Sequence, residues 1–397
     1  MTALFGMVSL TSVRRAVGGA AVPERTALFR YGIEHESALL RPDGTFADFT
    51  NTTFDELQDI VDVLPEDPAD LADLRVGDVG IKRKRWYVEG YERFDEHGTL
   101  LRCDPKGLEI RTRIHPSIEA ATAALCADQR RLDDAAAARG LGVTAIGFNP
   151  VRSEYVVEPA FNVWERVHRL GSPEERTAHL HMVTYGPDLN LSWAGSTPDE
   201  LIDAARKLTA LSPYLVPLSF SSPFRDGGPW GGLSARTALR TGARPAVLVF
   251  LAEGVPQVPS DPSLTQLARL PAEVGRLEFK AFDSCPESAL YAELLSLLTG
   301  LVLDTTLAER RTTPDAALHR HAARVGYADA ALRAGAEQAL DAAAAAVADR
   351  LADIARLRSL RDRFDRDDSP ARAMLASYEA GESVAGLHRS RSSQSRP

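Results

Sequence analysis

Four segments of the sequence alternate between apolar and charged or polar residues, and this pattern constrains the fold more than any other feature. The segments are YGIEHESAL, GLEIRTRIH, RTAHLHMVTYG and GRLEFKAFD. Because successive side chains of a β-strand point to opposite faces, each segment is predicted to be a strand with one apolar and one charged face. The charged faces carry Glu34 and Glu36; Glu109, Arg111 and Arg113; His179 and His181; and Arg276, Glu278 and Lys280.

Clustered carboxylates on such a surface predict bound cations. If the four strands share a sheet whose apolar side packs on helices, the opposite side concentrates carboxylates that repel one another unless cations neutralise them. Carboxylate oxygens with an occasional histidine suit Mg²⁺ or Mn²⁺, which in turn bind nucleotide phosphates. Any single strand of this kind is more often a solvated sheet face. The combination of four strands carries the prediction of a metal site.

Helical segments alternate with the strands and then replace them. TTFDELQDIVDVL, the segment from His115 to Gly140, STPDELIDAARKLTALSPYL and CPESALYAELLSLLTGLVLD have helical spacing of apolar residues. In the third segment Thr197 and Glu200 form a predicted capping box. Beyond about residue 313 the chain is Ala-rich and helical throughout. The predicted class is α+β, with a poorly ordered start (1–27), a catalytic domain (28–312), a helical region packed on it (313–383) and a disordered tail (384–397).

A long Gly- and Pro-rich loop, LSFSSPFRDGGPWGGLSARTALRTGARP, spans residues 218–245. It carries Arg225, Arg236, Arg240 and Arg244. Loops of this length in compact domains are usually functional, and arginines above an acidic face can bind phosphate or carboxylate through two hydrogen bonds. The sequence contains neither GxxxxGK[ST] nor GxGxxG, which argues against a P-loop or a Rossmann nucleotide site.

Bulk properties narrow the partners and the location. The net charge of −9 gives no support to nucleic acid as a partner. No apolar run reaches the length of a membrane span. The three cysteines form no CxxC pair, and the first arginines follow the N-terminal apolar stretch instead of preceding it. These features predict a cytoplasmic protein, and they leave open whether it forms a homo-oligomer.

Five motifs together resemble the type 2 glutamate–cysteine ligases and related carboxylate–amine ligases. YGIEHE is similar to their GIExE opening, GLEIRTRIHPS to their second acidic strand, and TAHLHM to their HVHVG strand. The 218–245 loop resembles their LSxxSP loop with its later Ser-Arg, and GRLEFKAFDSCP their GxVEVRxxDxP strand. The motifs occur in family order over roughly residues 30–310. The resemblance implies a glutamine synthetase-like curved antiparallel sheet with flanking helices.

The same resemblance implies residue roles. Divalent metals would bind Glu34, Glu36, Glu109, His179 and Glu278, with His179 and Glu278 on one ion. His181, Arg240 and Arg225 would contact the nucleotide, and Arg236, Lys280 and Arg111 would be catalytic. Lys280 departs from the family, which usually has Arg there, so a point charge replaces a planar guanidinium. The basic and aromatic segment 77–98 matches no family motif.

The implied activity is an ATP- and Mg²⁺-dependent ligase that forms an amide through an acyl phosphate, with Mn²⁺ as an alternative ion. Glutamate and cysteine are the favoured substrates. Three alternatives stay open: a ligase of the same family that joins glutamate or another acid to a different amine, a His/Glu metal-dependent hydrolase, and a non-catalytic relative.

Overall fold

The computed structural model describes residues 29–70 and 84–388. The predicted poorly ordered start, 1–27, lies outside these residues, as do 389–397 of the predicted disordered tail. Within the tail, residues 384–388 are helical, and Val384 and Leu387 pack against Phe224 and Met374. The prediction of disorder is therefore wrong for 384–388, because two well-spaced apolar residues suffice to dock a single helical turn.

The described residues contain one large sheet that curls into a half-barrel. Its strands are β1 (Phe29–Leu40), β2 (Phe46–Ala47), β3 (Trp86–Phe94), β4 (Leu100–Arg111), β5 (Gly142–Thr144), β6 (Pro187–Trp193), β9 (Val247–Leu251), β10 (Thr265–Leu267) and β11 (Arg276–Phe279), while β7 (Phe224–Arg225) and β8 (Gly228–Pro229) form a separate hairpin. The strand order in the sheet is β10-β9-β11-β6-β1-β4-β3, and β2 and β5 both pair with β1. Neighbouring strands are antiparallel except β9 and β10.

Strand register places the predicted charged residues together. Glu36 of β1 lies opposite Glu109 of β4, and Glu34 lies opposite Asp188 of β6. Glu278 of β11 lies opposite Asn190 of the same β6. The alternate residues of these strands form the buried core on the other face: Ile33, Leu108, Ile110, Leu189, Leu191, Leu277 and Phe279. The predicted α+β fold with an apolar and a charged sheet face is confirmed.

Helices cover the apolar face. Ser288–Leu303 is buried along nearly its whole length, as expected for a helix that is apolar on all sides. It packs against the Ile118–Ala137, Pro198–Leu215, Ala330–Ala346 and Leu351–Asp365 helices. Other helices are Phe54–Asp62, Val163–Arg169, Pro173–Arg176, Ala235–Arg240, Ala316–Val325 and Pro370–Glu379. The Thr197–Glu200 capping box is present as predicted. In the described ranges no helix is both long and apolar enough to cross a bilayer.

The segment RTAHLHMVTYG is not a strand, contrary to the prediction. Ala178–Val183 forms a 3₁₀-helix, with the N–H of Leu180 donating to Thr177 O at 3.0 Å and that of Thr184 to His181 O at 3.3 Å. Three residues complete each 3₁₀ turn, so residues two apart point in different directions. His181 therefore faces the sheet while His179 is exposed. The strand beside β1 is the following segment, Pro187–Trp193.

His319 should make the free energy of unfolding decrease in mild acid. Its side chain is fully buried in the Ala316–Val325 helix. Burial lowers the pKa of His319 from 6.5 to about 4. Below pH 6.5 the unfolded chain binds a proton that the folded chain does not bind until about pH 4. The free energy of unfolding therefore keeps its full value above pH 6.5 and decreases as the pH falls from 6.5 to about 4. His319→Gln should flatten the slope of unfolding free energy against pH by about 1.4 kcal/mol per pH unit.

Urea unfolding at pH 4.5, 5.5 and 6.5 measures this slope. The exposed neighbour His321 supplies the matched control, His321→Gln. An unchanged slope in His319→Gln would show that this imidazole does not resist protonation.

Candidate active site

The concave face of the sheet is the floor of an open cleft of about 800 Å³. Nine of the eleven predicted site residues line it: Glu34, Glu36, Glu109, Arg111, His181, Arg236, Arg240, Glu278 and Lys280. They come from three strands, a 3₁₀-helix and an α-helix, with Lys280 directly after β11, and register and curvature bring them together. The cleft also contains residues that were assigned no role in the predicted site, above all Glu89, Asp188 and Arg276.

Two predicted residues do not line the cleft. His179 projects into solvent because the 3₁₀-helix turns it away from His181. Arg225 lies on the β7–β8 hairpin, where its half-exposed side chain is 3.3 Å from the carboxylate of Asp226. The structure therefore gives no support to a metal shared by His179 and Glu278, or to a nucleotide contact from Arg225.

One group of side chains converges as metal ligands do. Among the described residues, Glu36, Glu89 and His181 each offer a donor atom, and these atoms lie within 4.8 Å of one another. His181 Nδ1 is 3.3 Å from Glu89 Oε1. Burial lowers the pKa of His181 to about 4, which leaves the imidazole neutral at pH 7. Two carboxylates and one neutral imidazole suit Mg²⁺ or Mn²⁺.

A buried lysine fixes this group in place. The ammonium of Lys106 on β4 is completely inaccessible to solvent and lies 2.6 Å from Glu36 Oε1. It also donates to the main-chain oxygens of His181 and Thr184, both at 2.9 Å. The other carboxylate oxygen of Glu36 accepts the N–H of Gly186 at 2.7 Å. Lys106 thus ties the 3₁₀-helix to β1 and sets the position of His181 relative to Glu36.

A second set of carboxylates surrounds two cations of the chain itself. The ammonium of Lys280 contacts both Asp188 and Glu278. The guanidinium of Arg276 is 2.9 Å from Glu278 and 3.6 Å from Glu34. Burial alone would lower the pKa of Lys280, but the charges of Asp188 and Glu278 outweigh it and raise this pKa. Burial and the charge of Glu278 raise the pKa of Glu34, and the positive charge of Arg276 partly offsets this rise.

Three arginines, Arg236, Arg240 and Arg244, line the same cleft. Arg236 is fixed, since it donates to Ala281 O at 3.0 Å and to Lys280 O at 2.9 Å. Burial, then repulsion by Arg236 and Arg244, lowers the pKa of Arg240 well below its ordinary value. Burial likewise lowers the pKa of Arg244. Buried cations that repel one another favour a bound anion, and guanidinium groups bind phosphate and carboxylate oxygens in pairs.

The position of Arg236 depends on a buried carboxylate, Asp283. It accepts hydrogen bonds from the hydroxyls of Ser222 at 2.6 Å and Ser234 at 2.9 Å. Ser234 also caps the Ala235–Arg240 helix by accepting the N–H of Thr237 at 2.9 Å. The serines of the 218–245 loop thus bind the aspartate that follows β11, and this contact anchors the helix that presents Arg236.

Sequence alternation could have indicated two of the missed residues. In YVEGY the face that carries Tyr87 continues to Glu89, and in PDLNLSW Asp188 and Asn190 share a face. Both segments alternate as clearly as the four that were singled out, but neither matches a family motif. Lys106 gives no such signal, because nothing in DPKGLE indicates that its ammonium is buried.

The two neighbouring histidines provide a direct test of the metal group. We expect His181→Asn and Glu89→Gln each to weaken Mn²⁺ binding by tenfold or more, since each removes one ligand. His179→Asn should bind Mn²⁺ like the parent, because His179 lies outside the cleft. Electron paramagnetic resonance of free Mn²⁺ measures the affinities. Equal loss in both histidine variants would contradict the placement of the 3₁₀-helix.

Comparison with known proteins agrees with this geometry. The model of "Glutamate-cysteine ligase family 2" matches residues 30–256, which is more than half of the chain. No curated protein matches the sequence. The fold is similar to that of glutamate–cysteine ligase from Francisella tularensis, solved in complex with AMP, at a TM-score of 0.56 and 13% identity over 93% of this chain and 89% of that one.

A second solved structure is a bifunctional glutathione synthetase from Pasteurella multocida. Its TM-score is 0.52 at 13% identity, with 93% of this chain and 52% of that chain covered. This chain thus spans about half the length of the Pasteurella protein. At such low identity, both likenesses concern the fold.

Proposed function

The chain belongs to glutamate–cysteine ligase family 2, and we propose that it is an ATP-dependent ligase that joins the γ-carboxylate of glutamate to the amine of cysteine. The cleft supports a small-molecule reaction of this kind, and the AMP bound by the Francisella relative supports a nucleotide as the energy source. The choice of glutamate and cysteine follows the family, and a different acid or amine fits the same residues.

The observation that carries the proposal is that potential metal ligands and arginines line one and the same cleft. Carboxylates and His181 contribute to this lining, and so do Arg236, Arg240 and Arg244. A polyanion with its counter-ions fits such a cleft, since the metal ligands would hold the cations and the arginines would hold the phosphate oxygens. A hydrolase would need the metal group but not the three guanidinium groups.

The chemistry follows from the fact that an amine cannot readily displace an oxygen of a carboxylate, because that oxygen is a poor leaving group. An oxygen of the substrate carboxylate attacks the γ-phosphorus of ATP, ADP leaves, and an acyl phosphate forms. The amine nitrogen then attacks the acyl carbon, phosphate leaves and the nitrogen loses a proton. Divalent ions, when bound, would neutralise the phosphate charge. In this proposal Arg236, which lines the cleft, stabilises the transferring phosphoryl group. Fixed donors of this kind act without reorganisation.

Phosphate release from ATP tests the proposal. With Mg²⁺, the parent should release phosphate when both glutamate and cysteine are present. Glu36→Gln and His181→Asn should abolish release, and His179→Asn should retain it. Release with glutamate and another amine would redirect the acceptor assignment. The ligase proposal would be falsified if nucleotide failed to bind with Mg²⁺ present while the metal group still bound Mn²⁺, a result that favours the hydrolase.

Gly186 should tolerate no side chain. A Cβ atom at this position would collide with the guanidinium of Arg236, and the N–H of Gly186 binds Glu36. Gly186→Ala must therefore displace Arg236, and a displacement of about 1 Å can lower turnover roughly a hundredfold.

Gly228→Ala is the matched control, because a Cβ there meets no atom within 4 Å. Turnover should be compared at equal folded fraction, since the overpacked variant can also lose about 1–3 kcal/mol of stability. Normal turnover in Gly186→Ala would mean that the position of Arg236 does not limit the reaction.

A further inference from the structure

The cleft has two carboxylate clusters of different construction. In the first, defined by Glu36, Glu89 and His181, the donor atoms converge within 4.8 Å. In the second, defined by Glu34, Asp188 and Glu278, the carboxylates are arranged around the cations of Lys280 and Arg276. Within residues 29–70 and 84–388, the second cluster is not one of the groups whose donor atoms all lie within 4.8 Å of one another.

Lys280 lies at the centre of the second cluster. Its ammonium bridges Asp188 on β6 and Glu278 on its own strand. The side chains of all three residues are at most one fifth exposed, so solvent screens the contacts weakly. A lysine ammonium is a compact charge with three donors, and it can occupy a site between two carboxylates in much the way a small metal ion does.

We propose that the Lys280 ammonium is a resident cation that takes the place of a divalent metal between Asp188 and Glu278. This inference rests on the proposed function, in which the cleft binds divalent ions. The protein alone then has one tight divalent site, at Glu36, Glu89 and His181.

Both oxygens of Glu278 have a cationic partner, Arg276 or Lys280. Glu36 differs, because one of its oxygens contacts a cation, Lys106, and the other accepts a neutral main-chain N–H. Glu278 therefore ligates no metal in this state.

The charge balance supports this assignment. Glu34, Asp188 and Glu278 contribute three negative charges, and Glu273 adds a fourth at 3.6 Å from Arg276. Lys280 and Arg276 contribute two positive charges within the same contacts. A divalent ion added to this group would have to displace or approach the Lys280 ammonium, and like charges at such distances repel strongly. Removal of the ammonium would leave these carboxylates with Arg276 as the remaining cation of these ion pairs, and that arrangement attracts a divalent ion.

Mn²⁺ titration of the full-length protein, without nucleotide, tests the inference. We expect one tight Mn²⁺ per chain in the parent and in Lys280→Arg, which keeps the positive charge. Lys280→Met retains the length of the side chain without its charge and should bind two. Glu278→Gln in the parent background should leave the single tight site unchanged, and it provides a test that does not depend on the folding of the Lys280→Met variant.

Either of two results would overturn the inference. The first is two tight Mn²⁺ ions in the parent, one of which is lost in Glu278→Gln. The second is a folded Lys280→Met variant that binds no additional Mn²⁺. Absent tight Mn²⁺ in the parent, or a tight site that survives Glu89→Gln, would overturn it as well.

Failure of the proposed function is distinguishable, because it appears as absent nucleotide binding and phosphate release in a parent protein that still binds one tight Mn²⁺. Circular dichroism and thermal unfolding of each variant separate loss of fold from loss of metal.

Discussion

The buried ion pair between Lys106 and Glu36 is the contact on which the rest of the cleft depends. A charge without access to water is tolerated when it is paired and fully hydrogen-bonded, and Lys106 meets this condition with one carboxylate and two main-chain oxygens. The same three contacts join β4, β1 and the 3₁₀-helix. The fold thereby gains the fixed distance between Glu36 and His181 that a metal site needs.

The helix that carries Arg236 is held by the same principle with the charges reversed. A buried carboxylate, Asp283, accepts hydrogen bonds from the serines of the 218–245 loop. Because these groups are satisfied within the protein, this part of the loop is packed, and the start of the helix has a fixed position. The metal group and Arg236 therefore meet a ligand with little reorganisation, which is the condition for strong electrostatic stabilisation.

Sequence reasoning predicted the sheet, its apolar and charged faces and nine of the cleft residues, because strand alternation is a local property of the chain. It was wrong about the segment that contains His179 and His181. Alternation over a few residues does not separate a strand from a 3₁₀ turn, since the choice depends on tertiary contacts such as those of Lys106 with His181 O and Thr184 O. Glu89 and Asp188 lie outside the family motifs, and the bridging position of Lys280 depends on strand register that no local pattern contains.

The 3₁₀-helix Ala178–Val183 has a further consequence for the dynamics of the protein. Such helices have poorer hydrogen-bond geometry than α-helices, and this one owes much of its order to Lys106. An ion bound to His181 would add its binding free energy to the local opening equilibrium of this segment. Amide exchange in residues 178–184 should then slow as the cleft fills, so a single turn of backbone would report the occupancy of the whole site.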